Sequence, residues 1–178
     1  FCSKNTFYYN LTGENTFNVI IQKYYYKMRI SSFIESPGSC VKMYGEPRLI
    51  DFPRIGKTLE GYISVAENDA LPFEVKRVYW TYFTPESIKR GGHAHHHLEQ
   101  ILVAVAGKII VTTQMPGEDE QRTILETADQ GIFLPKYCWH RMQYSHNAVQ
   151  MCIANMAYEE SDYIRDYEEF KKLIPVTQ

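Results

Sequence analysis

From Val41 onward the chain runs in short β-rich segments, and that pattern leaves room for few architectures. Tyr62 to Ala66, Glu74 to Phe83, Gln100 to Ala106, Lys108 to Gln114, Arg122 to Glu126, Gly131 to Leu134, Trp139 to Tyr144 and Ala148 to Met156 are rich in β-branched and aromatic side chains. Turn formers separate them, among them Thr84-Pro85-Glu86-Ser87, Ala106-Gly107-Lys108, Met115-Pro116-Gly117 and Asp129-Gln130-Gly131. Many strands at short, regular spacing predict an all-β sandwich or barrel. Helical spacing is confined to Ser161 to Leu173, where Ile164, Tyr167, Phe170 and Lys171 line up and Ser161 or Asp162 supplies a cap. One short C-terminal helix is therefore expected.

Size and charge narrow the function classes. At 178 residues the chain has the length of one ordinary domain, enough to enclose a ligand cavity. A net charge of −2 with basic residues scattered singly carries no electrostatic footprint for nucleic acid. No apolar run approaches transmembrane length, so no membrane partner is expected. Cys2, Cys40, Cys138 and Cys152 form no C-x-x-C pair, which argues against a zinc knuckle or a disulfide framework and favours a cytoplasmic location.

The first 27 residues are crowded with Phe, Tyr, Asn, Lys and Ile and lack a small-residue cleavage site, unlike a signal peptide. Met28 is one candidate for the true start, with an AT-rich leader translated ahead of it. Residues 1–40 are read as an N-terminal segment and residues 41–178 as a single domain. The sequon Asn10-Leu11-Thr12 carries little weight, because three-residue patterns recur by chance.

The chemistry concentrates in Arg90-Gly91-Gly92-His93-Ala94-His95-His96-His97-Leu98-Glu99-Gln100 and the apolar run that ends at Gly107. Side chains alternate along a strand, so His93 and His95 share one face while Ala94 points away. Two imidazoles in one cavity suit metal binding or proton transfer. His96 should face outward, and His96 and His97 are read as non-catalytic; His146, between Ser145 and Asn147, has the surroundings of an exposed turn.

The spacing H-x-H, a polar residue and a glycine seven positions on resembles the first motif of the cupin β-barrels. Pro135-Lys136-Tyr137-Cys138-Trp139-His140 resembles the second, with His140 in the place of the third cupin metal ligand. The resemblance implies a jelly-roll-like cupin barrel. Metal-binding cupins carry a glutamate where this chain has Gln100, and an amide adds no charge to offset a divalent cation. Tyr137 and Tyr144 also depart from the motif. No metal or other cofactor is expected.

Further residues narrow the likeness. Pro72-Phe73-Glu74-Val75-Lys76-Arg77-Val78-Tyr79-Trp80, Arg90-Gly91-Gly92-His93-Ala94-His95, Gln100, Trp139-His140 and Asp162-Tyr163-Ile164-Arg165-Asp166-Tyr167-Glu168-Glu169-Phe170 together resemble the WxcM-like sugar-nucleotide 3,4-ketoisomerases. The likeness runs from about Gly61 to Phe170. It implies an isomerase that moves the ketone of dTDP-4-keto-6-deoxyglucose from C4 to C3 on the way to amino sugars of surface polysaccharides such as O-antigen. Such a dTDP-linked 4-keto-6-deoxyhexose would be the ligand, and a homodimer, with N-terminal strands exchanged in relatives, would be the working form.

Ketone migration through an enediol needs only proton transfers, for which histidine suits neutral pH. On this reading His95 transfers the carbon-bound proton and His93 relays the hydroxyl proton or holds the keto oxygen. Tyr82 assists from the preceding strand, with Tyr79 as its competitor. Arg90 is the expected fork to the diphosphate, ahead of Lys76 and Arg77. Gln100 and His140 are placed in the substrate cavity, and Arg141 and Tyr62 at its sugar end.

Three rivals remain open on sequence. A metal-dependent cupin oxygenase would use His93, His95, Glu99 and His140 around iron. A dTDP-sugar 3,5-epimerase is disfavoured because its His-Asp base and Tyr acid pattern is not evident. A non-catalytic sugar-binding cupin is the third.

Overall fold

The computed structural model describes residues 44–173, all within the expected domain. The N-terminal segment, Met28, Cys2, Cys40 and the sequon lie outside the described residues. In chain order the strands are β1 (Arg48–Asp51), β2 (Arg54–Lys57), β3 (Gly61–Ser64), β4 (Arg77–Thr81), β5 (Lys89–His95) and β6 (Gln100–Ala106), then β7 (Ile109–Gln114), β8 (Gln121–Leu125), β9 (Gln130–Leu134), β10 (Trp139–Tyr144), β11 (Val149–Ala154) and β12 (Tyr163–Ile164). One helix, α1 (Tyr167–Lys171), follows them.

Two antiparallel five-stranded sheets, ordered β1-β9-β6-β11-β4 and β12-β5-β10-β7-β8, face each other, and β2-β3 forms a separate hairpin. The expected all-β, jelly-roll-like cupin architecture is present, built as two facing sheets. The interior follows from alternation. Leu102 and Ala104 of β6, Ile132 and Leu134 of β9 and Cys152 of β11 meet Ile109, Val111, Leu125, Met142 and Tyr144 of the opposite sheet. The other faces of the strands also bury apolar groups. Ile101, Val103, Phe133 and Ile153 pack under Phe52, Leu71 and Phe73, so β6 is apolar on both sides over Ile101 to Ala104.

The closing helix is shorter than expected. Ile164 is drawn into β12, where it pairs with Ala94, and the cap is Asp166, whose carboxylate accepts from the Glu168 and Glu169 amides. Asp162 is engaged elsewhere, as shown below. Phe170 packs with Ala94, Trp139 and Ile164 against the outer face of β5 and β10. Among the described residues no helix is long and apolar enough to cross a membrane.

A bulge in β5 sets which side chains reach the interior. His93 pairs with His140, but the next pair is Gly91 with Arg141, so Gly92 is the extra residue. Gly91 and Gly92 have φ of +87° and +76°, a region that side chains with a Cβ adopt at a cost. The extra residue reverses the alternation and puts Arg90, opposite Met142, on the face that carries His93. A Cβ on Gly91 would lie 2.6 Å from the His140 carbonyl oxygen. Gly91→Ala is expected to cost roughly 1–3 kcal/mol in denaturant unfolding, the range for enforced backbone strain. An unfolding midpoint equal to that of the parent would show that the bulge tolerates a side chain.

Candidate active site

Strands β5 and β10 bring three histidines together inside the sandwich. His93 sits across from His140 with ring centroids 4.7 Å apart, and His95 lies 5.0 Å from His93. One ligand-capable atom from each of the three falls within 4.8 Å of the others. On the reverse side of the same strands, Ala94 and Trp139 pack on Ile164 and Phe170. Period-2 alternation thus fixes the imidazoles inward by anchoring their neighbours outward.

His95 is 4% exposed, and its Nδ1 lies 3.1 Å from an oxygen of Asp162, itself equally buried. A carboxylate only accepts, so Nδ1 carries the proton and the neutral ring leaves Nε2 bare. The Asp162 carboxylate also accepts the His97 backbone N–H at 2.7 Å and the Leu98 N–H at 3.2 Å. Hydrogen bonds to a charged group contribute about 1.5–3 kcal/mol each, so three together offset the desolvation of a buried carboxylate. Strand β12 then pairs Tyr163 with His95. The Tyr163 ring lies 4.3 Å from that of His95 and 4.9 Å from that of His93.

Burial, then the neighbouring imidazoles, hold His93 far below the ordinary histidine range. Burial, followed by His140 and the Arg77 guanidinium, pushes His95 down as well, while the Asp162 carboxylate favours its charged form. Burial alone lowers His140. All three rings rest neutral at pH 7.

His140 belongs to a closed hydrogen-bond chain. Its Nδ1–H donates to the Cys138 carbonyl at 3.0 Å, and its Nε2 accepts from the Gln100 amide at 3.2 Å. The Gln100 oxygen accepts in turn from the Tyr79 hydroxyl and the Cys152 thiol. Burial pushes the Cys152 thiol up to about 12 and the Tyr79 hydroxyl far above its ordinary value, so both stay donors. Three neutral imidazoles are a donor set that late transition metals accept. A metal held by His93, His95 and His140 would first have to displace the Gln100 amide from His140 Nε2.

The residues anticipated from sequence separate into two groups. His93, His95, His140 and Gln100 meet in the interior, although Gln100 and His140 bond each other. Arg90 shares their face but stands toward solvent. Tyr82 does not join them: it follows β4 on the face of Trp80, half exposed and edge-on to Phe83, because alternation that turns Tyr79 inward turns Tyr82 outward. Tyr79 takes the interior place. Tyr62 lies on the β2-β3 hairpin, its hydroxyl on Thr58 and its ring under Arg54. Arg141 points away from His140 into a cleft of about 340 Å³ shared with Lys89, Thr112 and Arg122, and forms an ion pair with Glu120. Strand alternation places Arg141 on the opposite side of β10 from the imidazoles. His97 and His146 are exposed, and His96 is half-buried with its ring edge-on to Tyr137.

Two site residues escaped sequence reasoning. In the sequence Asp162 reads as a helix cap and Tyr163 only as part of a closing motif, and the His-Asp pair that is not evident there is formed by His95 and Asp162. A polar side chain ahead of an alternating Tyr-Ile pair was the available signal, but its partner lies 67 residues away.

A family model described as FdtA, WxcM-like, C-terminal, matches residues 45–175. A TDP-4-oxo-6-deoxy-alpha-D-glucose-3,4-oxoisomerase of Aneurinibacillus thermoaerophilus is 36% identical over 72% of this chain and 93% of its own length. Among solved structures, a 3,4-ketoisomerase from Helicobacter canadensis is 32% identical, with a TM-score of 0.68 over 72% of this chain and 96% of that one. The sugar 3,4-ketoisomerase QdtA from Thermoanaerobacterium thermosaccharolyticum, in complex with TDP, is 28% identical, with a TM-score of 0.67 over 71% of this chain and 92% of that one. With the buried imidazole cluster in place and the match spanning almost all of the described domain, the chain belongs to the FdtA, WxcM-like family.

Proposed function

We propose that this chain is a sugar-nucleotide 3,4-ketoisomerase acting on dTDP-4-keto-6-deoxyglucose, in the cytoplasm, on a route to the amino sugars of surface polysaccharides. The observation that carries the reading is His95 held by Asp162 with its other nitrogen bare inside the sandwich. Relatives with matching names cover nearly the whole domain and support the substrate assignment.

His95 Nε2 takes the proton from C3, and the electron pair of the broken C–H bond becomes the C3–C4 double bond while the C4 carbonyl pair moves onto oxygen. Asp162 stabilises the imidazolium so formed, as an acceptor on the opposite nitrogen. His93, neutral and beside His95, passes the proton from the C3 hydroxyl to the C4 oxygen. The imidazolium of His95, once its Nε2 proton has exchanged with solvent, then delivers a proton to C4, leaving a ketone at C3. Arg90, on the same face and nearer solvent, is assigned to the diphosphate. Tyr163, flanking both rings, is assigned the assisting role that the sequence suggests for Tyr82.

A 3,5-epimerase is the second reading that an observation favours, since the His95–Asp162 pair supplies the base it requires. Incubation with dTDP-4-keto-6-deoxyglucose in heavy water, followed by NMR, decides between them. Loss of the C3 proton with a new deuteron at C4 is expected; exchange at C3 and C5 would identify an epimerase, and no exchange a binding protein. His95→Asn should abolish turnover and keep dTDP binding, and full turnover by that variant would defeat the mechanism.

Removing the carboxylate tests the dyad. Asp162→Asn is expected to lower kcat on the order of 10³-fold, because the imidazolium loses its charged partner; parent-like kcat would sink that role.

Protonation supplies another test. The folded rings titrate below the value near 6.5 that they have when unfolded, so the unfolded chain binds more protons at acid pH. Stability from these neutral rings is complete above about pH 6.5 and lost as pH falls toward the folded values. The thermal midpoint should therefore drop between pH 7 and pH 5, with the acid limb of kcat/KM below pH 6.5; a kcat/KM limb above pH 7 would contradict a neutral base.

The working form is proposed to be a homodimer. Ile55 and Ile63 of the hairpin are 60% and 66% exposed, and Trp80, on the edge strand β4, is 63% exposed, a surface that water leaves poorly satisfied. Sedimentation equilibrium should give twice the chain mass, and a monomer at micromolar concentration would refute it.

A further inference from the structure

Arg77 is a half-buried, inward-facing cation with no acid paired to it among the described residues. Strand β4 pairs Arg77 with Ala154 and Tyr79 with Cys152, so both β4 side chains lie on the inner face. The guanidinium carbon stands 4.9 Å from the centre of the Tyr79 ring and 5.8 Å from that of Tyr158. Its Nε is buried and has no hydrogen-bond partner among the described residues. Arg165 differs, because both its Nε and a terminal nitrogen fork onto Glu160, at 2.9 and 3.0 Å, while its plane covers Tyr163. The charge of Arg165 is spoken for; that of Arg77 is not.

A guanidinium held between aromatic faces with an orphaned N–H is a costly thing to bury, and an incoming anion is what would satisfy it. Two anions come with the proposed substrate. The diphosphate is already matched by Arg90, three residues before His93 on β5. Arg77 acts from the other sheet and at the other end, for Ala154 pairs with Arg77 on one side and with Gln100 on the other, and Gln100 in turn bonds His140 of the imidazole cluster.

We infer that Arg77 is the electrostatic catalytic group that receives the enediolate oxygen formed on the sugar when His95 removes the C3 proton. The inference rests on the ketoisomerase reading and deepens it. When the C3–H bond breaks, the negative charge appears on the C4 oxygen, where Arg77 meets it; it passes to the C3 oxygen when the C4 oxygen takes the hydroxyl proton, and is neutralised when the His95 imidazolium protonates C4 and the C3 ketone forms. No electron leaves the sugar. A preorganised donor aimed at developing charge stabilises the transition state more than the ground state, so it appears in kcat more than in ligand affinity.

The test compares Arg77→Gln and Arg77→Lys with the parent chain, measuring kcat and KM with the keto sugar and the Kd for dTDP by calorimetry. Arg77→Gln is expected to lose on the order of 10²–10³-fold in kcat. Its dTDP affinity should stay within about threefold of the parent, and Arg77→Lys should recover part of kcat. A Kd for dTDP raised about tenfold or more with kcat near the parent value would make Arg77 a phosphate clamp and overturn the proposal. Unchanged kcat with unchanged affinity would reduce it to packing, overturning it equally. If Arg77→Gln lacks a cooperative thermal transition, Arg77→Lys carries the comparison, and parent-like kcat together with a tenfold weaker dTDP complex counts against the claim. The parent assay separates the two readings: a parent that does not isomerise the sugar refutes both, whereas a turning-over parent with an indifferent Arg77→Gln refutes only Arg77.

Discussion

The carboxylate of Asp162 ties the site to the fold. It accepts the His95 Nδ1–H and the backbone N–H groups of His97 and Leu98, so one buried anion orders the His95 ring and the turn that follows its strand. Those bonds hold the C-terminal segment against β5, and β12 continues from them by pairing Tyr163 and Ile164 with His95 and Ala94. The anion needs all three donors to be stable in the interior, and the imidazole needs the anion to keep its other nitrogen free.

Chemistry and packing divide cleanly between the two faces of the same strands. Along β5 and β10, His93, His95 and His140 turn inward while Ala94 and Trp139 rest on Ile164 and Phe170. Closure by α1 is thereby coupled to imidazole placement: a ring that rotated outward would expose Trp139 or displace Phe170. Gly91 and Gly92 break the alternation at one point only, and the result is a cation on the same face as the histidines.

The polar chain from Cys138 through His140 and Gln100 to Tyr79 and Cys152 satisfies groups that a sandwich interior would otherwise leave unpaired. It also gives His140 a role different from that of His95. Both nitrogens of His140 are engaged, so it shapes the cavity and lowers the basicity of its neighbours, whereas His95 retains a free lone pair.

Much of this was readable in one dimension. The ends of β6 and β10 agree with the runs expected from composition, and H-x-H spacing alone put His93 and His95 on one face, because strand alternation is a local property of the backbone. Helical spacing from Ser161 overstates the helix, since Ile164 fits a helical stripe and a strand equally well over so short a span. The sequence does not separate Tyr82 from Tyr79, because the number of residues between strands does not say which parity meets the core. Asp162 looks like a cap in sequence because Asp often caps the helices it precedes, and only the pairing of β12 with β5 shows that its partner is an imidazole. Sequence by itself determined the strand pattern, the paired imidazoles and the family likeness, all of which depend on spacing along the chain. Tertiary structure alone decided the His95–Asp162 pair, the capped state of His140 and the open guanidinium of Arg77, because each depends on which strands become neighbours, and that is set by the burial of the whole sandwich.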